Sequence, residues 1–223
     1  MPDLSRPTRV NRAYDLLRAD ILSNRLPPGF SAPEPDLAER LGMSRTPLRE
    51  ALIRLEHDGL VELVPRRGVR VLPMYPDDMR EVYAILAALE PEAAAELALH
   101  NGDPGWLKPL EDAVGDMEAA LEADDLDAWA QADDRFHREL VEMSSNRRLT
   151  EIVTGLYDQV HRARTLTLRL REKPVQSTRE HREVLNGILD GKPRRVRKLF
   201  RAHRDRTAAE LLAILETYHL LHL

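Results

Sequence analysis

The sequence predicts a mainly α-helical protein with an N-terminal domain of three helices and a small β-hairpin, followed by an all-α bundle of six helices. Three observations support this fold class. Apolar residues recur at helical spacing through most of the chain, two β-rich runs flank one short basic loop, and Pro73 and Pro76 separate the two parts. We therefore place a first domain at residues 1–73, a linker at 74–76 and a second domain at 77–223.

The first domain opens with two amphipathic helices. Apolar residues at helical spacing from Val10 to Ile21 mark the first helix, which ends at the turn sequence LPPG. The segment DLAERLG predicts a short second helix, and Gly42 supplies the tight turn into the next one. Two helices joined in this way form a helix-turn-helix.

The third helix has two faces of different character. Its apolar face runs from Leu48 to Leu55, while Arg45 and Arg49 project from another face near the helix start. The backbone N–H groups at that end have no helical partner and favour anions. A helix that is buried on one side and cationic on the other is typical of DNA recognition.

Two β-rich runs, LVELV and VRVL, follow the third helix and predict a hairpin, or wing, with Arg66 and Arg67 at its tip. A solvated charged surface explains each of these features alone, but their joint occurrence in this order indicates DNA binding. Residues 1–73 hold twelve arginines against ten acidic residues, a net charge of +2 in a chain of net charge −5. Phosphate contact would therefore depend on local charge rather than on the mean charge of the chain.

Residues 8–73 resemble the winged helix-turn-helix of the GntR family of bacterial transcription regulators, in the segments PPG, DLAERLGMSRTPLREALIRLEHDGLV and PRRG. The resemblance implies that two groups of residues contact DNA. At the start of the third helix, Ser44 contacts the phosphate backbone, and the residues that enter the major groove are Arg45, Thr46 and Arg49. In the wing, the residues that approach the minor groove are Arg66, Arg67 and Gly68. Pro35 stands where some relatives carry an arginine, so the resemblance does not extend to a DNA contact at this position.

From residue 77 onwards the apolar periodicity is helical throughout and predicts a bundle. We expect Ser177 and Glu180 to cap the fifth of its helices. The predicted spans are 77–100, 104–123, 126–144, 146–172, 178–190 and 193–218.

Histidines provide the chemistry of the second domain. Asp133 and His137 are four residues apart and share one face of a predicted helix, with Asp134 as the alternative carboxylate. His181 and His203 lie on two further predicted helices. Three imidazoles and a carboxylate suit a divalent transition metal. Spacing alone also fits histidines without a metal role, which are more common.

Residues 77–218 resemble the effector-binding FCD domain of FadR-type GntR regulators, and six helices resemble its VanR-like subgroup. The resemblance rests on DDRFH, EH and AH, each on a different predicted helix. It implies a bound metal of the zinc, nickel or manganese class. The ligands that it implies are Asp133, His137, His181 and His203.

The same resemblance implies an effector, a small carboxylic or sugar acid bound at the metal. Many members place an arginine for the acid where this chain has Leu86. Candidate substitutes on a later helix are Arg162, Arg164 and Arg169, although solvated positions fit them as well.

The predicted function is therefore that of a transcription regulator, not an enzyme, which binds a double-stranded DNA operator as a homodimer. An effector would shift the population of operator-competent molecules in either direction, so repression and activation both stay open. Two alternatives remain: a constitutive DNA-binding protein whose metal is structural, and a metalloenzyme fused to a DNA-binding head. The second is disfavoured because the sequence contains no HExxH motif, phosphate-binding glycine loop or nucleophile elbow.

Composition excludes several further classes. The chain of 223 residues has no cysteine, so disulfides and thiolate metal sites are impossible. It shows neither an apolar run of membrane-spanning length nor the apolar core of a signal peptide. We expect a cytoplasmic protein without a membrane partner.

Overall fold

The computed structural model of the chain describes residues 8–100 and 105–218. The chain forms two compact units that divide between residues 74 and 75, inside the predicted linker. The domain ranges 1–73 and 77–223 extend beyond the described residues and remain proposals. Within the described part of the chain, no helix combines the length and apolar character that crossing a bilayer requires.

The first unit contains three helices and a three-stranded antiparallel sheet with strand order β1, β3, β2. Its elements are α1 (Arg9–Leu22), β1 (Ser31–Ala32), α2 (Glu34–Arg40), α3 (Arg45–His57), β2 (Val61–Val64) and β3 (Gly68–Val71). The predicted helices and hairpin are confirmed. Strand β1 was not predicted, because two residues are too short to show an alternating pattern.

Periodic leucines explain how α3 is anchored. Leu48, Leu52 and Leu55 are each at most 1% exposed, and they share a core with Leu17 and Ile21 of α1. Burying a leucine side chain contributes roughly 2 kcal/mol. The apolar stripe therefore fixes α3 against α1, and the opposite face of α3 is left to solvent.

The hairpin of β2 and β3 is closed by a short loop, in which Val64 pairs with Gly68 and the Arg67 N–H donates to the Val64 carbonyl at 3.0 Å. Gly68 has a φ of +100°, and β1 crosses close to it. A Cβ atom at this position would lie 2.2 Å from the carbonyl oxygen of Ala32. Only glycine therefore fits where the wing meets β1.

The second unit is all-α, as predicted. Its elements are α4 (Pro76–Leu97), α5 (Lys108–Glu122), α6 (Leu126–Glu142), α7 (Arg147–Thr167), a 3₁₀ helix (Leu168–Leu170), α8 (Val175–Leu189) and α9 (Pro193–Thr217). The predicted start of the second bundle helix, residue 104, lies outside the described residues. Assignment to the VanR-like subgroup remains a prediction.

The expected cap of α8 is wrong. This helix begins at Val175, directly after Pro174, and no side chain caps it. Ser177 and Glu180 lie inside the helix and instead interact with Arg206 of α9. Their polar groups are thus used between helices rather than at the helix end.

Packing in the second unit brings the histidine-bearing helices together. Helix α4 packs along α9, α5 packs along α6, and α8 and α7 each contact α9. Side chains from α6, α8 and α9 therefore converge in the interior of the bundle.

We expect Gly68→Ala to destabilise the first unit by about 2–4 kcal/mol, because the new Cβ would meet backbone at a strained φ. Hydrogen–deuterium exchange of the β3 amides measures this effect. Gly29→Ala is the matched control, since Gly29 also has a positive φ, +78°, but open space around its Cβ position. It should cost only about 1–2 kcal/mol, and equal effects of the two variants would refute the steric explanation.

Candidate functional site

The start of α3 presents the predicted DNA-contacting residues to solvent. Ser44, Arg45, Thr46 and Arg49 are exposed, whereas the leucines behind them are buried. Ser44 occupies the N-cap position, but its side chain does not bond the first turn. Its hydroxyl is therefore not used to cap the helix, and the exposed helix start can meet an anion.

A groove of about 550 Å³ lies between the start of α3 and the hairpin loop. Arg45 and Arg49 line it from the helix, and Arg66 and Arg67 line it from the loop. Arg49 Nη1 lies 3.7 Å from Glu34 Oε1, and the Arg49 side chain is 66% exposed. An exposed ion pair this long holds an arginine only weakly, so Arg49 can exchange Glu34 for a base or a phosphate.

Gly68 also lines this groove, but its surroundings give it a second role. The close approach of Ala32 requires glycine regardless of DNA. A substitution at Gly68 therefore reports on folding as well as on any contact with a minor groove.

Three histidines meet in the interior of the second unit. His137 of α6, His181 of α8 and His203 of α9 each offer a ligand atom within 4.8 Å of the others. They are at most 3% exposed. The Phe136 ring makes an edge contact with His181, and the Phe200 ring is tilted against His137. This cluster could hold a metal ion.

Distances within the cluster fit a single ion. The Nε2 atoms of His137 and His181 are 3.2 Å apart. Two nitrogens at about 2.1 Å from one ion, separated by an angle of roughly 90–110°, lie about 3.0–3.4 Å from each other. Asp133 contributes oxygens 3.7 Å from His181 Nε2 and 3.9 Å from His137 Nε2.

The structure places Asp133, and not Asp134, beside the histidines. Asp133 is 2% exposed, and its carboxylate forms an ion pair with Arg164. Asp134 is only partly buried and accepts a hydrogen bond from Arg138 at 2.7 Å. The i, i+4 spacing to His137 therefore identifies the carboxylate that points inward.

Burial keeps the three imidazoles neutral. Burial and then the Arg204 cation hold the pKa of His137 well below its usual value, and burial and His203 lower the pKa of His181 to about 3. Burial also lowers the pKa of His203. Burial alone would raise the pKa of Asp133. The charges of Arg164 and the histidines outweigh this effect, and the pKa of Asp133 lies below its usual value. Neutral imidazoles and an ionised carboxylate are the forms that bind metals.

Two charged groups orient the imidazoles from behind. His203 Nδ1 lies 2.7 Å from Glu180 Oε2, an arrangement that leaves its Nε2 for a metal. Arg204 Nη2 lies 2.9 Å from His137 Nδ1 and can only donate to it. A metal on His137 Nε2 would require the imidazole proton to lie on Nδ1, which would then donate to Glu90 Oε1, 3.4 Å away, instead of accepting from Arg204. The cluster fits a metal once this hydrogen bond rearranges.

The three predicted effector arginines do not lie together. Arg162 and Arg164 are buried, and burial lowers the pKa of Arg162 to about 10. Arg169 is 61% exposed and donates to Asp127 at 2.8 Å. The prediction grouped Arg169 with the other two because it assumed one continuous α-helix to residue 172. The 3₁₀ helix at Leu168–Leu170 changes the phase and turns Arg169 outward.

Sequence reasoning missed a buried network behind the cluster. Arg204 forms an ion pair with Glu90, and the Tyr157 hydroxyl donates to Glu90 Oε1 at 2.7 Å. Glu90 and Arg204 are at most 1% exposed. Leu86, which stands where an effector arginine was expected, is fully buried one turn before Glu90. The sequence carried one signal for this network: Arg204 directly follows the candidate metal ligand His203 in the segment AHR.

Comparisons with known proteins agree on two regions. A family model of the FCD domain matches residues 81–206, and one described as "Bacterial regulatory proteins, gntR family" matches residues 9–71. An HTH-type transcriptional regulator from the TAR-I ttuE-ttuC' intergenic region of Agrobacterium vitis is 44% identical over 60% of this chain and 79% of its own.

Two further comparisons cover more of the chain. The HTH-type transcriptional repressor RspR of Escherichia coli K12 is 27% identical over 78% of this chain and 76% of its own. The solved structure of E. coli McbR/YncC has a TM-score of 0.79 and 22% identity, covering 92% of this chain and 98% of that one. This last likeness shows the fold.

We expect the metal-free protein to lose stability as pH falls from 7 to 5.5. The unfolded chain binds protons near the ordinary histidine pKa of 6.5, whereas the buried imidazoles do so only at lower pH, near 3 for His181. Stability is therefore fully present above the unfolded pKa and declines below it, by about 1 kcal/mol per buried histidine over this interval. Urea unfolding followed by tryptophan fluorescence measures it, because Trp106 and Trp129 both lie in the second unit.

The control for this pH dependence is His181→Gln. This variant should lose about 1 kcal/mol less stability than the unaltered protein between pH 7 and 5.5, because one buried histidine is absent. The interval lies above the carboxylate range, so Asp133 and Glu180 contribute little. A stability that does not change between pH 7 and 5.5 would contradict the neutral, buried state of the cluster.

Proposed function

The chain belongs to the GntR family of bacterial regulatory proteins and carries an FCD domain, and from this premise we propose that a small organic acid controls its affinity for an operator. The acid, a carboxylic or sugar acid, binds at a metal site in the second unit. The observation that carries the proposal is the buried cluster of three neutral imidazoles beside Asp133. The bundle already has an extensive apolar core, so a set of metal ligands in its interior serves sensing more readily than stability.

We infer that α3 lies in the major groove. Arg45 and Arg49 can each donate two hydrogen bonds to guanine, Thr46 contacts a base edge and Ser44 contacts phosphate. Arg66 and Arg67 of the hairpin loop, with Gly68 at its base, approach the adjacent minor groove, where a narrow groove favours cations. The exposure of these side chains supports this assignment.

A recognition helix of this length reads only a few base pairs, so useful specificity needs two copies on one operator. We therefore infer a homodimer. The two DNA-reading units of a dimer can lie at different distances from each other. An acid that binds more tightly to the dimer with one such spacing shifts the population toward that form of the dimer. The relative RspR is named a repressor, which supports release of DNA as the response here.

Asp133, His137, His181 and His203 would hold a divalent transition metal of the zinc, nickel or manganese class. The bound ion would supply positive charge and open coordination positions for the acid. The chain's own residues would do the rest: Glu180 orients His203, and Arg164, now paired with Asp133, can meet an anionic group. Buried Arg162 is a further candidate.

A second candidate function is that of a constitutive DNA-binding protein in which the metal only holds the helices together. The near-complete burial of the three imidazoles favours it, because structural metal sites are closed to solvent. The two candidates differ in whether an acid changes operator binding.

We expect Arg49→Ala to weaken binding to the operator by about tenfold to a hundredfold, because a guanidinium that reads a guanine is lost. The operator is first selected from random duplexes with the unaltered protein, and affinity is then measured by fluorescence anisotropy. Arg25→Ala is the matched control, since Arg25 is exposed, pairs with Asp20 and does not line the groove. An equal loss of operator affinity in both variants would show that Arg49 contributes only its positive charge and does not read a base.

We expect the double variant His181→Ala/His203→Ala to retain little metal after loading with zinc, nickel or manganese, because half of the proposed ligands are gone. Elemental analysis of the dialysed protein measures the loss. The same variant should still bind the selected operator but should no longer respond to acids that alter binding by the unaltered protein. His161→Ala is the control, as His161 lies outside the cluster.

The two candidate functions then separate. An effect of acids on operator binding by the metal-loaded protein supports effector control. Full metal retention in the double variant contradicts the site itself. If the protein binds metal but no carboxylic or sugar acid of a panel changes its operator binding, the metal has the structural role of the second candidate function.

A further inference from the structure

Exposed cations run along the first turns of α9. The segment 192–201 contains six basic residues and no acidic one, whereas the rest of residues 75–218 holds 15 basic and 28 acidic residues. Four of these cations are exposed at helical spacing on one face of α9. We call this group the basic stripe, and its members are Arg194, Arg197, Lys198 and Arg201. Positive charge is therefore concentrated on one surface of an otherwise acidic unit.

The stability of α9 does not explain these charges. The start of a helix favours acidic residues, and α4, α5 and α6 each carry at least one in the first turn. Helix α9 carries none there and has Arg194 and Arg195 instead. Like charges four residues apart, such as Arg194 and Lys198, also destabilise a helix. A partner outside the unit accounts for the stripe better than the fold does.

Most of the basic stripe is available to such a partner. Among the described residues, Arg194, Lys198 and Arg201 form neither an ion pair nor a hydrogen bond with another side chain. Arg197 is held by Glu92, whose Oε1 lies 2.6 Å from its Nε. Three cations can therefore meet an anion without giving up a bond inside the protein.

The charge and length of the stripe are complementary to duplex DNA. From Arg194 to Arg201 it extends about 10 Å along the helix, and a duplex carries one negative charge per about 1.7 Å of its axis. Several phosphates thus lie within reach of the stripe. Guanidinium groups match the geometry of phosphate oxygens, and three of the four stripe residues are arginines.

Other polyanionic partners fit less well. The apolar side chains of the segment face the interior, with Val196 and Phe200 fully buried. A helix that lies on a membrane needs an apolar outer face, and a protein interface usually has an apolar centre. Phe200 is also the one aromatic residue of segment 192–201, so no ring is exposed there for stacking on unpaired bases. The phosphates of a duplex remain, and the family of this chain binds DNA.

The stripe lies at one particular end of the second unit. Arg80, near the start of α4, pairs with Glu216 near the end of α9, and Glu92 near the end of α4 pairs with Arg197. The two helices are therefore antiparallel. Lys198 and Glu216 are about 27 Å apart along α9, so the stripe lies far from the start of α4, where the chain enters this unit.

We propose that the basic stripe binds the phosphate backbone of a second DNA duplex without reading its sequence, so that one molecule holds two duplexes at once. Arg194, Lys198 and Arg201 contact phosphates, while Arg197 adds positive charge from its ion pair with Glu92. The proposal goes beyond the proposed function, because it needs neither a metal nor an acid and adds a DNA contact outside the groove of the first unit.

Fluorescence anisotropy of a labelled duplex tests this second contact. The full-length protein is first mixed with an equimolar amount of its unlabelled selected operator. A labelled duplex of the same length and shuffled sequence is then added. We expect it to bind with a Kd of about 1–100 µM near physiological salt, the range of sequence-independent binding.

Arg194→Glu/Lys198→Glu should weaken binding of the labelled duplex by about tenfold or more, and the slope of log Kd against log salt should become shallower by about 2, because two phosphate contacts are lost. The matched control is Arg147→Glu/Arg148→Glu. It makes the same change of charge in the first turn of α7, where both arginines pair with Glu151, and it should leave the Kd nearly unchanged.

Thermal melts check that the stripe variant folds. Its melting temperature should equal or exceed that of the unaltered protein, because an acidic residue replaces a cation in the first turn of α9. The proposal is overturned if the labelled duplex does not bind, or if both double variants weaken its binding equally.

Two further measurements distinguish other roles of the stripe. The stripe variant should keep the affinity of the unaltered protein for the selected operator. A loss of operator affinity would assign the stripe to the operator itself and would overturn the second duplex. Sedimentation with phosphatidylglycerol vesicles tests a membrane surface: binding to vesicles that requires Arg194 and Lys198, without binding to the labelled duplex, would overturn DNA as the partner.

Discussion

Mutual burial of the Glu90 carboxylate and the Arg204 guanidinium holds α4 and α9 together behind the histidine cluster. A buried charge is tolerated only when it is paired and hydrogen-bonded, and Tyr157 of α7 completes the pairing. The same Arg204 contacts His137 Nδ1 and helps to keep that imidazole neutral. The position and protonation of the cluster therefore depend on an ion pair that touches no proposed ligand of the metal except His137.

The two units use charge in opposite ways. Around α3 and the hairpin loop the arginines are exposed, and their interactions with phosphate are screened by salt. In the second unit Asp133, Arg164 and Arg204 are buried, where salt has little effect. Ionic strength is therefore expected to affect the exposed arginines of the first unit much more than the buried charges around the histidine cluster.

Local patterns were sufficient to predict the helices, the hairpin and the residues that line the groove, because leucine spacing and turn chemistry act over a few residues. The i, i+4 pair of Asp133 and His137 was predictable for the same reason. Interactions between distant positions were not: Glu90 and Arg204 are 114 residues apart. The outward turn of Arg169 depends on a three-residue 3₁₀ helix that periodicity does not distinguish from an α-helix.

The buried ion pair also constrains how such a chain can evolve. Replacing Glu90 or Arg204 alone leaves an uncompensated charge in the interior, which typically costs about 3–5 kcal/mol, a large part of the stability of an ordinary domain. A lineage must therefore change both positions together or neither. The exposed arginines of α3 carry no such restriction, so these positions are expected to vary among descendants of one ancestor long before the buried pair does.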